Sequence, residues 1–335
     1  MKRTLIALAV AGAAVATGVN AGELYNQDGT TLTLGGRAEA RMSIKDGDVL
    51  DKSRVRINVS GKQEISDDLY GVGFYEAEYT TSDRDEDGNE NDDSSSIEHR
   101  YAYAGLGGNF GEITYGKNDA ALGVITDFTD IMDYHGAKAS DKLNSADRID
   151  NLLAYKGDFN DLSVKAAYRF ADRDESYDSI DDNDADAFSL SGIYTVADTG
   201  LAIGLGYADE DDKANQWMLT ASYTWNDLYV SALYSAADLD NTDNDYDGFE
   251  LAASYKMEKT VFYVTYNNGQ VDDGHISSTV SDEFADSDNL AFEVAYFFKP
   301  NFRGYVSYDF NMLDDDEVGN AAAEDEAVLG LRYDF

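Results

Sequence analysis

Residues Ala327 to Phe335, AVLGLRYDF, alternate apolar and polar and stop on an aromatic residue. Val328, Gly330, Arg332 and Asp334 share one face, while Ala327, Leu329, Leu331, Tyr333 and Phe335 share the other. A strand in this position needs a partner, and the first strand of the same sheet is the simplest one; that pairing closes a barrel and leaves no edge. Tyr333 and Phe335 are then expected at a membrane rim, where aromatic side chains concentrate.

The other end supports a membrane destination. MKRTLIALAVAGAAVATGVNA starts basic at Lys2 and Arg3, continues apolar and closes on small residues. It is too short and too rich in small residues for a spanning helix, and reads as a secretory signal over residues 1–21, with residues 22–335 as one domain. No second apolar stretch has the length of a membrane helix. A membrane protein of this sequence must therefore cross with strands.

Composition narrows the function classes. The chain has 66 Asp plus Glu against 25 Lys plus Arg, a formal net charge of −41, and loss of the signal makes it more negative still. Phosphate neutralisation needs surplus cations, so nucleic acid is excluded as a partner. The 43% hydrophobic share and 24 tyrosines argue for a folded chain. There is no cysteine, so neither disulfides nor thiolate chemistry contribute.

Period-two segments recur from Leu32 onward, and their connections alternate between tight and long. The tight ones fall at Ser66 to Asp68, Gly107 to Asn109, Asp158 to Asp161, Asp198 to Gly200, Asn226 to Asp227, Glu258 to Lys259 and Lys299 to Asn301, the last holding the single proline, Pro300. The long ones are mostly acidic: 45–52, 81–95, 116–147, 172–184, 209–215, 237–245, 269–287 and 314–324. Seven turns and eight loops imply about sixteen antiparallel strands, with short turns on one side and long loops on the other. Leu162, Val164, Ala166, Tyr168 and Phe170 form one lipid-facing row, repeated by Trp217 to Trp225 and by Leu290 to Phe298. The opposite faces carry Lys and Arg in strand interiors, which suits a wet lumen.

On that polar face lie Arg37, Glu39 and Arg41, then Arg54, Arg56, Asn58 and Lys62. Arg100 shares the parity of Ala102 and Ala104, which leaves Tyr101 and Tyr103 for lipid or a partner subunit; Arg148 opens a later strand. Arg37, Arg56, Arg100 and Arg148 are expected to face inward. Confined cations repel one another unless acids oppose them. The longest irregular segment offers Asp127, Asp130 and Asp133, whose spacing of three puts them on one face of a short helix. Folded inward, that segment would make a constriction with acid on one side and base on the other.

Those residues also carry a family pattern. GELYNQDGTTLTLGGRAEARMS, SRVRINVSGKQEISDDLYGVGFYEAEY, HRYAYAGLGGNFGEITYGKNDA and DEAVLGLRYDF together resemble the Gram-negative general diffusion porins. ALGVITDFTDIMDYHG, ADRIDNLLAYKG and FKPNFRGYVSYDFN most resemble the OmpU-type porins of vibrios and their marine relatives. The resemblance covers the whole chain. It implies a homotrimer of sixteen-stranded antiparallel transmembrane β-barrels, each with an inward-folded third external loop. It places Arg37 at a basic position of the first strand, Arg56, Arg100 and Arg148 on the constriction arginines, Asp130 on the loop aspartate, and Glu76 on a lumen acid of the third strand. Where enteric porins carry Pro-Glu-Phe-Gly-Gly at the loop tip, this chain has Asp133-Tyr134-His135-Gly136. Asp133 and Asp127 are the alternatives for the missing acid. The second external loop, here 81–95, reaches over a neighbouring subunit in the family.

Two runs, Asp83-x-Asp85-x-Asp87-Gly88 and Asp243-x-Asp245-x-Asp247-Gly248, resemble the start of a calcium loop, but position twelve is Ser94 or Ser254 instead of a bidentate Glu. No metal site or cofactor is expected; loop carboxylates would gather Ca²⁺ or Mg²⁺ as a weak, diffuse atmosphere and could bridge to lipopolysaccharide. With only His99, His135 and His275, no serine stands in a motif beside a histidine, and no enzyme is expected. No run of pore aromatics suited to sliding sugars is evident. The sequence thus points to an outer-membrane channel, not an enzyme, passing ions and small hydrophilic solutes with a preference for cations. The alternative is a blocked barrel serving as an adhesin or structural protein.

Overall fold

Alternation becomes pleated strand wherever one face can be wet and the other apolar, and turn residues set the strand ends. The computed structural model describes residues 22–81, 97–175, 180–182, 186–211, 213–240, 245–271, 284–314, 319 and 323–335. The signal expected over 1–21, the Asp83 to Asp87 run, most of the second loop (82–96), Asp243 and His275 lie outside the described residues.

Sixteen long strands close into an antiparallel barrel: β2 (Thr30–Lys45), β4 (Arg54–Ser66), β5 (Leu69–Thr80), β6 (Ile97–Gly108), β7 (Gly111–Asp119), β8 (Arg148–Phe159), β9 (Leu162–Arg169), β12 (Ala187–Val196), β13 (Leu201–Glu210), β14 (Ala214–Trp225), β15 (Leu228–Leu239), β16 (Asp245–Met257), β17 (Thr260–Val271), β18 (Ser287–Lys299), β19 (Phe302–Asn311) and β20 (Glu326–Asp334). Each pairs with the next in sequence, β9 with β12 across a long connection, and β20 with β2, where Arg37 faces Asp334 and Lys45 faces Glu326.

All seven expected tight turns are present. Asn160, Asp198, Asn226 and Glu258 take positive φ in them, a conformation that Asn and Asp tolerate best. An eighth turn was not foreseen. β1 (Gly22–Gln27) pairs with β2 through Asp28-Gly29, both at positive φ as a two-residue hairpin requires, and occupies the part of the β2 edge beyond the reach of β20. β3 (Asp48–Asp51) pairs with the other end of β2, while β10 (Arg173–Glu175) and β11 (Ile180–Asp182) form a separate small hairpin. Asp245 and Asp247 sit on β16 and not in a loop, which removes the basis for the second calcium-like run.

The apolar face is the outer one. Leu205, Trp225 and Phe298 are 57, 62 and 47% exposed, in rows too extensive for a water-soluble surface. Aromatic pairs mark both rims: Tyr333 and Phe335 (ring centroids 6.0 Å apart) and Phe298 and Phe302 (5.5 Å) near the short turns, Trp217 and Tyr234 (5.2 Å) and Tyr308 and Phe310 (4.5 Å) near the long loops. Among the described residues no helix is long and apolar enough to cross a membrane.

Closure ends on Phe335. Its N–H donates to the Gly36 carbonyl, and the Gly36 N–H donates back to the Phe335 carbonyl, each at 2.9 Å. Deleting Phe335 removes both bonds and one rim aromatic. We expect a lower temperature for loss of the compact form on unheated denaturing gels, by more than Phe335→Leu, which keeps the backbone pair.

Candidate functional site

Strand parity aims the charges, and barrel closure brings them together. Two cross-strand rows run over the seam on the polar face. Arg303 (β19), Arg332 (β20), Glu39 (β2) and Arg54 (β4) occupy one; Asp334 (β20), Arg37 (β2), Arg56 (β4) and Glu78 (β5) occupy the next. Glu39, with a fully buried side chain, is the hub: Arg54 at 2.6 Å, Arg41 at 3.0 Å, Arg37 at 3.2 Å and Arg332 at 3.8 Å. Arg56 pairs with Glu78, Arg100 with Glu76 at 2.9 Å, and Arg148 with Glu98 at 3.2 Å.

Arg37, Arg56, Arg100 and Arg148 therefore face the polar side on β2, β4, β6 and near the start of β8, as expected, and Glu76 joins them. Their direct counter-charges are not the loop aspartates. They are carboxylates on the same wall: on the adjacent strand for Arg56 and Arg100, two residues along β2 for Arg37, and on β6, one strand beyond β7, for Arg148. Glu39 and Arg54 were visible on the polar face from parity alone. Glu78, Arg303 and the grouping around Glu39 required the register across the closed seam.

One facing is corrected. Tyr101 and Tyr103 do not point to lipid, and Ala102 and Ala104 do. A bulge on β6, where Glu76 pairs with Tyr101 but Ala77 pairs with His99, leaves Arg100 as the extra residue and reverses the parity after it. Tyr101 consequently donates its hydroxyl to Asp119 at 2.8 Å, and the Arg148 guanidinium lies 5.4 Å from its ring centroid.

The connection between β7 and β8 lies against the same polar face. Its α-helical part is a single turn, α1 (Gly123–Thr126), and a 3-10 turn follows only at Asn144–Ala146, so Asp127, Asp130 and Asp133 do not share a helix face. The next residues are held by the wall instead. The Phe128 carbonyl accepts from Tyr229 at 2.8 Å and Ser231 at 2.6 Å, both on β15, and Thr129 donates to Glu250 on β16. The three acids diverge. Asp127 lies near Asp130, Asp119, Lys142 and Lys165; burial first, then the Asp130 charge, push its carboxyl up to about 7. Asp130 keeps part of its surface open, and desolvation of its carboxyl raises it against the opposing charges of Lys142, Arg37 and Arg54.

Asp133 is clamped. Its carboxylate accepts from Arg303 at 2.6 and 2.7 Å and from Arg332 at 3.1 Å, its carbonyl accepts from Arg41 at 2.9 Å, and its N–H donates to Glu293 at 2.9 Å. Beside it, Tyr134 donates to Glu326 at 2.9 Å, and the His135 Nδ1 lies 2.7 Å from the Ser307 hydroxyl. A serine thus stands beside a histidine in space, though in no sequence motif, because residues 172 positions apart meet only in the fold. Both are buried at the loop seat and closed to substrate.

These features define a transmembrane barrel with a charged interior face and one long connection seated on it. The chain belongs to the Gram-negative porin family, which it matches over residues 4–316. Over the full length of both chains it is 56% identical to outer membrane protein U of Vibrio parahaemolyticus and 51% identical to that of Vibrio cholerae. Among solved structures it resembles Salmonella typhi OmpF in complex with daunomycin (TM-score 0.75, 22% identity, 94% of this chain and 100% of that one). It also resembles the trimer form of OmpT from Vibrio cholerae (TM-score 0.65, 19% identity, 92% and 100%). It is thus a multi-pass outer-membrane protein and a general diffusion porin, a channel and not an enzyme.

Proposed function

We propose that residues 22–335, after removal of a signal at 1–21, assemble as a homotrimer of water-filled, cation-preferring pores for ions and small hydrophilic solutes. The connection between β7 and β8 is the constriction. Arg37, Arg56, Arg100 and Arg148 form its basic wall, and Asp127, Asp130, Asp133 and Glu76 its acidic members. Tyr333 and Phe335 anchor the rim in lipid.

The observation that carries the cation preference is lateral neutralisation. Each of these arginines sits against a wall carboxylate, which weakens the positive field of the wall, while the chain as a whole carries −41. External carboxylates then raise the cation concentration at the mouth, less at high salt because screening shortens their reach. The same acids gather Ca²⁺ or Mg²⁺ diffusely and meet lipopolysaccharide through them. Trimer formation is supported by the outer face of β2 to β6, where Ala38, Ala40, Gly61, Gly71, Gly73, Ala77, Ala102 and Ala104 are interspersed among larger residues such as Ile57, Tyr75 and Leu106. Small residues let a neighbouring barrel approach closely.

The test is reconstitution in a planar bilayer with a KCl gradient. Openings in groups of three, with a reversal potential displaced toward the K⁺ equilibrium value, are expected; a potential displaced toward Cl⁻, or a silent bilayer, contradicts the reading. A pH dependence follows from Asp127. A carboxyl raised to about 7 is charged above that pH and neutral below it, so the cation preference is expected to fall between about pH 8 and about pH 6. Asp127→Asn should flatten that change, as reversal potentials across the range would show.

A further inference from the structure

The bulge at Arg100 leaves β5 and β6 with four aromatic rings on the polar face: Tyr70, Phe74, Tyr101 and Tyr103. Phe74 stands 5.7 Å from Tyr101, edge-on, and 5.5 Å from Tyr103 at an interplanar angle of 32°. Tyr70 lies over its cross-strand partner Gly107, where a Cβ would fall 2.3 Å from the ring, so the absence of a side chain there is what admits it. All four rings are half-buried, and each keeps surface toward the interior. From Tyr70 to Glu76, the level of Tyr101, the strip runs six residues along β5, about 20 Å.

The remaining interior directs solute to this strip. Leu122, Ile125 and Leu143 of the seated connection pack with Met218, Leu233 and Tyr246 into an apolar core against β14 to β16. The tip is held at the seam by Arg41, Arg303 and Arg332, so the passage that the proposed pore needs lies on the side of β4 to β6. The charges beside the rings are paired: Glu76 with Arg100 at 2.9 Å and Glu112 with Lys156 at 2.8 Å. The Lys62 ammonium lies 3.9 Å from the centre of the Tyr70 ring. Paired groups offer little net field to an ion but retain hydrogen-bonding capacity at their remaining donor and acceptor sites.

Apolar rings edged by neutralised donors and acceptors fit an uncharged solute with one C–H face and a hydroxylated rim. We propose that Tyr70, Phe74, Tyr101 and Tyr103 form a track that transiently binds saccharides built from pyranose rings, an assignment that presupposes the open pore proposed above. The aromatic faces meet the C–H faces of the sugar, and Glu76, Arg100 and Glu112 meet its hydroxyls.

The experiment compares maltose with sorbitol at matched viscosity on the full-length protein in planar bilayers. Maltose is expected to reduce the conductance saturably, and sorbitol only as viscosity requires. Phe74→Leu and Tyr103→Leu should each raise the half-blocking concentration of maltose about threefold or more, the size expected for loss of one ring contact. If the leucine variants do not assemble, the contrast between the two probes on the unaltered protein decides. Open channels on which maltose and sorbitol act alike, or leucine variants with unaltered block, overturn the track and leave the pore reading standing. A silent bilayer overturns both.

Discussion

Replacing Glu39 by glutamine is expected to destabilise the barrel more than any other single wall substitution. Its side chain is fully buried and is the shared counter-charge of Arg37, Arg41, Arg54 and Arg332. Breaking a buried ion pair from one side leaves uncompensated charge and costs roughly 3–5 kcal/mol. Four guanidiniums around one neutral amide place Glu39→Gln toward the top of that range. Unfolding temperature in detergent would report the loss, and Glu78→Gln, whose carboxylate is less central, provides the comparison. The same substitution removes the neutralisation on which cation preference rests, so channels that still assemble should shift their reversal potential toward Cl⁻.

Asp133→Ala is expected to release the tip of the seated connection. The carboxylate receives three bonds from Arg303 and Arg332, and truncating one partner of such a pair costs about 2–5 kcal/mol. Anchors through Tyr134 and His135 remain, so the barrel itself should keep its stability. The effect belongs in the current: larger and noisier openings than those of the unaltered protein, with thermal unfolding little changed. Asp133→Asn, which preserves shape and some hydrogen bonding, should fall between. Quiet, unaltered openings in Asp133→Ala would show that the tip is held by its other contacts alone.

Strands, turns and facing were legible wherever their causes are local. Leu162 to Phe170 and Trp217 to Trp225 reveal their lipid face by alternation, and Asn226-Asp227 or Pro300 mark turns by their own conformational limits. Tyr101 and Tyr103 were misread because one extra residue at Arg100 changes every later facing, and a bulge leaves no local signature in HRYAYAG. Asp127, Asp130 and Asp133 were misread for a different reason. Spacing of three specifies a helix face only if a helix forms, and here Glu250 on β16 and Tyr229 and Ser231 on β15 bind the chain from Phe128 onward. The Glu39 hub depends on closure, which sets β20 beside β2 and carries Arg332 to a residue nearly the whole chain away.

The most direct test of the constriction uses the absence of cysteine from the chain. Asp130→Cys provides a unique thiol, and a trimethylammonium methanethiosulfonate reagent adds a bulky fixed cation to it during single-channel recording. If the connection between β7 and β8 narrows the pore, the current should drop in three successive steps and the K⁺ preference should weaken with each. Verified modification with unaltered current and reversal potential would contradict that placement of the pore.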